Sequence, residues 1–143
     1  MAEIEIVSEH PFKRSLADVP VDHSLTEEGG WSGMAVQWIV TAATVGATQH
    51  VVGLTVFAPG ARHHPHRHPH AEEAQYLISG SGLARVGDKD IVQNAGDTVF
   101  VPRNEWHGFE NTSDGETVML WTYGGAAGLE QAGYERQGVT PPG

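Results

Sequence analysis

The stretch Arg62-His63-His64-Pro65-His66-Arg67-His68-Pro69-His70-Ala71-Glu72-Glu73 holds five of the chain's nine histidines. Residues two apart on a β-strand project to the same face, so His66 and His68 point together. His64 and His70 would join them if the strand ran that far, although Pro65 and Pro69 limit its regular pairing. Two imidazoles on one face form a pincer for a divalent transition metal, and a carboxylate a few residues on can complete one side of the site. A solvated histidine-rich loop or a purification tag is the competing explanation. Tags, however, sit at termini and lack interleaved Pro, Arg and Glu. On spacing alone the two readings stand level.

Outward from this stretch, the pattern is one of short strands. Ala35 to Thr41 and His50 to Ala58 are runs rich in β-branched and aromatic residues, of strand length. Downstream, Ala74 to Ser79, Leu83 to Val86, Asp90 to Gln93 and Thr98 to Val101 are separated by Gly80-Ser81-Gly82, Gly87-Asp88-Lys89 and Asn94-Ala95-Gly96, residues that supply the positive φ of tight hairpins. Thr117 to Tyr123 is a last strand, with Met119, Trp121 and Tyr123 on one face. Ala126 to Gly133 reads as a short helix, and Thr140 to Gly143 as a frayed end. Before Ala35 the chain mixes charged, Pro and Gly positions, and Ile4 to Val7 reads as an edge strand in an irregular arm. Many short antiparallel strands at close spacing imply a barrel or a double-sheet sandwich. No solenoid-type repeat or low-complexity tract interrupts them.

Composition narrows the functional classes. The 143 residues fit one domain with a core of its own, at 39% hydrophobic and 18% charged residues. Eighteen glycines and 8 prolines agree with a turn-rich all-β chain. A formal net charge of −10 opposes binding to nucleic acid or to an anionic membrane. With no cysteine there is no disulfide, thiolate site or cysteine nucleophile. Met1 to Arg14 has no apolar signal region and no run is long enough to span a bilayer, so the expected location is the cytoplasm. Asn111-Thr112-Ser113 matches a glycosylation sequon, read as coincidence in that setting.

Longer spacings point to a family. Gly60, five residues, His66-Arg67-His68, four residues, Glu73, six residues and Gly80 resemble the first motif of the cupin superfamily without a mismatch. Gly96, five residues, Pro102, His107 and Asn111 resemble its second motif, except that Asn104 stands where the family has a second glycine. Asn tolerates left-handed backbone best after Gly, so the turn is expected to survive. The 15 residues between Gly80 and Gly96 match the compact spacing of single-domain bacterial cupins. The two motifs cover about a third of the chain, and the flanks match only as generic strands. The resemblance implies an all-β double-stranded β-helix, a jelly-roll barrel with a short C-terminal helix. Residues 1–33 would be the arm and edge strand, 34–125 the barrel, and 126–143 the helix and tail. Carried over residue by residue, it implies one divalent transition metal per chain (Fe, Mn, Ni, Zn or Cu) held by His66, His68, Glu73 and His107, with one or two positions left open. Glu72 competes with Glu73 as the carboxylate, and spacing and alternation favour Glu73. The motif gives no role to His63, His64 or His70.

By alternation Gln75 and Leu77 share a face with Glu73, and Phe109 shares one with His107. Gln75 and Tyr123 are the candidate substrate-handling residues, because buried polar groups need partners. Arg85, Glu105 and His64 are weaker candidates, and Trp106 could shape the mouth. Phe109, Met119 and Trp121 read as core. Three functions fit: a metal-dependent oxygenase or oxidase acting on a small organic molecule; a non-redox isomerase, lyase or decarboxylase; and a small-molecule binding module. The family pattern also implies a homodimer.

Overall fold

The computed structural model describes residues 3–139. Its elements are β1 (Trp31–Val40), α1 (Ala42–Val45), β2 (His50–Arg67), β3 (Glu72–Ser79), β4 (Ser81–Val86), β5 (Lys89–Asn94), β6 (Thr98–Val101), β7 (His107–Glu110), β8 (Thr117–Gly124), α2 (Leu129–Ala132) and β9 (Glu135–Arg136), with one 3₁₀ turn at Leu16–Asp18. The strands join antiparallel in the order β5-β4-β7-β2-β8-β3-β6, and β1 and β9 add onto β2. The result is a nearly closed jelly-roll barrel, the all-β architecture that the sequence implies.

Strand β2 organises the barrel. Its 18 residues pair with β8 over His50 to Phe57, with β7 over Arg62 to His66 and with β9 at its end, while β1 runs alongside. Alternation explains what faces inward. In β8 Thr117, Met119, Trp121 and Tyr123 are buried, and the residues between them are half-buried. Met119, Trp121 and Tyr123 pack with Val51, Phe57, Leu77 and Phe109 into one core. Burying each large apolar side chain contributes about 1.5–3 kcal/mol. The Trp121 indole lies directly over Gly53, where any Cβ would collide with the ring. Its Nε1–H donates to Thr55 Oγ1 at 2.8 Å, so the one polar atom of the indole is satisfied inside the barrel.

At the turns, Asn104 takes up left-handed backbone (φ 65°), so the turn survives its departure from glycine. Outside the barrel two expectations need correction. Ile4 to Val7 form no strand, and Ile4 and Ile6 are 92% and 95% exposed because no sheet edge of the chain reaches them. The arm is tied to the barrel by the Val21–Gln37 bridge, by the Gln37 amide, which donates to Val19 O at 2.8 Å, by the Trp38 indole, which donates to Asp22 Oδ2 at 2.9 Å, and by His64 N–H, which donates to Gly30 O at 2.9 Å. The C-terminal helix covers only Leu129–Ala132, ending at Gly133, and the chain then adds β9 to β2. The expected fraying of Thr140 to Gly143 lies outside the described residues. Among the described residues no helix is long and apolar enough to cross a membrane.

Candidate metal centre

The barrel brings His66, His68, Glu73 and His107 to one buried point, where one ligand atom from each lies within 4.8 Å of all the others. His66 projects from the end of β2 and is the register partner of His107 at the start of β7. His68 follows β2 directly, and Glu73 stands on β3 opposite Tyr123 of β8. All four are buried, His66 and His107 to 1% exposure. Glu72 is exposed, which settles the carboxylate in favour of Glu73. His70 is exposed and His64 half-buried, and neither belongs to the cluster.

Hydrogen bonding sets the chemistry of this cluster. His66 Nδ1 lies 2.7 Å from His64 O, His68 Nδ1 2.7 Å from Gly133 O, and His107 Nδ1 3.0 Å from Glu105 O. A carbonyl only accepts, so each neutral ring carries its proton on Nδ1 and turns the Nε2 lone pair inward. Nε2 of His68 and of His107 are buried without a hydrogen-bond partner. They lie 3.2 and 3.3 Å from Glu73 Oε1. Three lone pairs and a carboxylate packed together repel one another unless a cation stands between them. Imidazole nitrogens and a carboxylate suit a divalent first-row metal, so the residues fit the group that the motif implies.

The titration behaviour agrees. Burial opposes ionisation of Glu73, but the adjoining His107 and His68 outweigh it and hold the carboxyl well below its usual range. Burial lowers His107 as well, and the neighbouring Glu73 carboxylate more than offsets this, raising its pKa. His66 is pushed well down by burial and then by the neighbouring histidines His63 and His107. The site therefore keeps its negative charge on Glu73 and favours a cation beside it.

Gln75 is adjacent, as its shared face with Glu73 requires. Its Nε2 donates to Glu73 Oε2 at 2.6 Å, which leaves Oε1 to face the histidines. Tyr123 is buried with its ring 4.7 Å from that of His68. Burial and the Glu73 charge raise its pKa well above the ordinary phenol value, so it stays a hydroxyl. Phe109, Met119 and Trp121 belong to the core. The Arg67 guanidinium lies over the half-buried Trp106 ring, 4.3 Å from its centroid. Arg85 pairs with Asp90 on the surface.

His63 is the neighbour that spacing did not single out. Its ring stacks on His66 at 3.8 Å and on Trp31 at 4.0 Å. Tyr134 donates its hydroxyl to Gly29 O at 2.7 Å and accepts from His63 Nε2 at 3.2 Å, so His63 is the Nε2–H tautomer. A bulge in the β2–β7 register between His63 and His66 is what turns His63 inward, and no period-two count finds it. Beside the cluster is a chamber of about 20 Å³, walled by Trp31, Met34, Phe57, Met119 and Trp121, with room for about one water. Glu73 and Tyr123 also line a surface pocket of about 170 Å³ next to His50 and Phe100.

A buried set of three histidines and one glutamate inside a jelly-roll barrel defines a metal-binding class of protein. Residues 53–123 match the cupin domain family. Over 102 residues the chain is 30% identical to Protein SchB of Streptomyces halstedii, a match covering 71% of this chain and 74% of SchB. The chain belongs to the cupin superfamily. It is also 30% identical to polyketide synthase CurC of Streptomyces cyaneus, over 71% of this chain and 66% of CurC. The fold resembles the solved polyketide cyclase RemF of Streptomyces resistomycificus, with a TM-score of 0.70 and 19% identity over 95% of this chain and 88% of RemF.

Proposed function

We propose that the chain is a metal-dependent enzyme acting on a small, enolisable, partly aromatic organic molecule of the polyketide kind. The observation that carries this reading is the convergence of three inward Nε2 lone pairs and one Glu73 oxygen, beside an aromatic chamber. The substrate class draws on the polyketide synthase named among the relatives. When bound, a divalent cation supplies a Lewis acid for a substrate carbonyl, or an electron conduit to O₂. His66, His68, His107 and Glu73 would hold it, and Gln75 keeps Glu73 turned with one oxygen inward. Tyr123, held as a hydroxyl, donates a hydrogen bond to a substrate oxygen. The aromatic wall excludes water and strengthens these contacts.

Two reaction classes fit this centre. A non-redox ring closure, isomerisation or lyase step is favoured by the polyketide relatives. An oxygenase step is the second reading, because three imidazoles and one carboxylate also suit redox-active iron, manganese or copper. Protein reconstituted separately with Fe(II), Mn(II), Ni(II), Zn(II) and Cu(II) is offered a β-polyketone under air and without O₂. Conversion that persists without O₂ and with Zn(II) supports the non-redox class. Oxygen uptake matching product supports the oxygenase, and no conversion with any metal defeats both. We further propose a homodimer that covers the uncovered Ile4 and Ile6 of the arm, giving twice the chain mass in light scattering.

A further inference from the structure

The three histidines of the cluster are held in two different ways. His66 and His107 each donate Nδ1–H to a carbonyl two residues earlier, His64 and Glu105, so their acceptors arrive with the adjacent chain. The acceptor for His68 is Gly133, 65 residues further on, in the segment after the barrel. Without that segment the His68 ring loses the bond that sets its tautomer and its rotation. We propose that Gly133 is a positioning residue for the metal centre, its carbonyl fixing His68, so that metal binding and docking of residues 129–137 on β2 are coupled. This rests on the metal-centre reading above.

Position 133 is built for the purpose. Its backbone (φ 82°, ψ 154°) is close to conformations that only glycine adopts readily, and a Cβ there would lie 2.8 Å from Pro69 Cδ. Only glycine can turn the chain here and keep its carbonyl on His68. The rest of the segment is aligned with β2. His70 N–H donates to Ala132 O at 2.9 Å and Gln137 N–H to Pro65 O at 3.1 Å, on either side of the β9 pairing with His66 and Arg67. Tyr134 adds its ring, 5.0 Å from that of His66.

These attachments are weak one by one. The strand is two residues long, and the Arg67–Glu135 ion pair (2.7 Å) is about a third exposed on each side. Exposed pairs contribute little and short elements open readily. A ligand that favours the docked state therefore shifts docking measurably, and by linkage docking strengthens the ligand's binding by the same factor.

The test is hydrogen exchange of residues 128–138 in the full-length protein, metal-free and with saturating Zn(II), together with Zn(II) titrations of two variants. We expect Zn(II) to slow exchange across Gly133 to Gln137 about tenfold or more, as in a site whose outer hydrogen bonds order its ligands. Gly133→Ala should weaken Zn(II) by about 10–100-fold and shift the visible bands of the Co(II) form. Glu135→Gln touches no ligand and should weaken Zn(II) by about threefold through docking alone. It keeps the test valid if Gly133→Ala does not fold. Tight Zn(II) binding with unchanged exchange, or wild-type affinity in both variants, overturns the coupling and leaves the metal centre standing. Failure of the wild-type protein to bind Zn(II), Co(II) or Mn(II) removes the metal centre and the coupling with it.

Discussion

The two halves of β2 are one strand under two regimes. From His50 to Phe57 it lies between β1 and β8 in regular register with β8, and its buried Val51 and Phe57 are satisfied by apolar neighbours. From Ala58 to Arg67 the register with β7 slips, and the buried His66 imidazole has an acceptor on one nitrogen and needs a cation on the other. The first half is complete as folded. The second half reaches its lowest energy only with something added. A single strand thus supplies both a stable wall and an unsatisfied, hence reactive, site.

Substitutions at the two ends of the strand should separate these regimes. Phe57→Ala removes a buried ring packed 4.7 Å from Phe109, and should cost about 3–5 kcal/mol in urea unfolding. His66→Ala should do the reverse, weakening Zn(II) by more than about a hundredfold in calorimetric titration, beyond the usual effect of losing an outer hydrogen bond. If His66→Ala costs as much stability as Phe57→Ala and leaves metal affinity intact, the division of labour along the strand is wrong.

Finer effects sharpen the contrast. Gln75→Leu frees Glu73 Oε2, and should lower metal affinity by about tenfold while changing the Mn(II) electron paramagnetic resonance line shape. Acid should act first at His107, the register partner of His66. His107 has a raised pKa, so as pH falls through it a proton occupies the nitrogen the metal needs. Metal affinity should then drop about tenfold per pH unit, with one proton released per ion bound at that pH. The mildest change is Val92→Thr, which should leave the melting temperature of the chain within about 2 °C of wild type, as expected at a position 67% exposed.

What the sequence made legible follows the same boundary. Alternation placed Met119, Trp121 and Tyr123 on one face and spacing paired His66 with His68, but it was the resemblance to the two cupin motifs that joined Glu73 and His107 to them. Local rules suffice wherever a strand is regular. They miss His63, which a bulge turns inward, and β9, a two-residue strand whose pattern carries no signal. Ile4 to Val7 have strand composition but no edge to join, because propensity does not say whether a partner exists. Gln75 was found by its face, but its amide is spent on Glu73 and so acts through the carboxylate.

Asn111, the last position of the second motif, carries one more consequence. Its side-chain nitrogen donates to Phe57 O, Ala58 O and Gly115 O, and its oxygen accepts from Ser113, leaving it 1% exposed. The same nitrogen is the atom a sugar would occupy if the chain passed through a eukaryotic secretory route. A glycan attached there during synthesis would block closure of the barrel, so production in yeast or mammalian culture media should yield misfolded material that Ser113→Ala rescues.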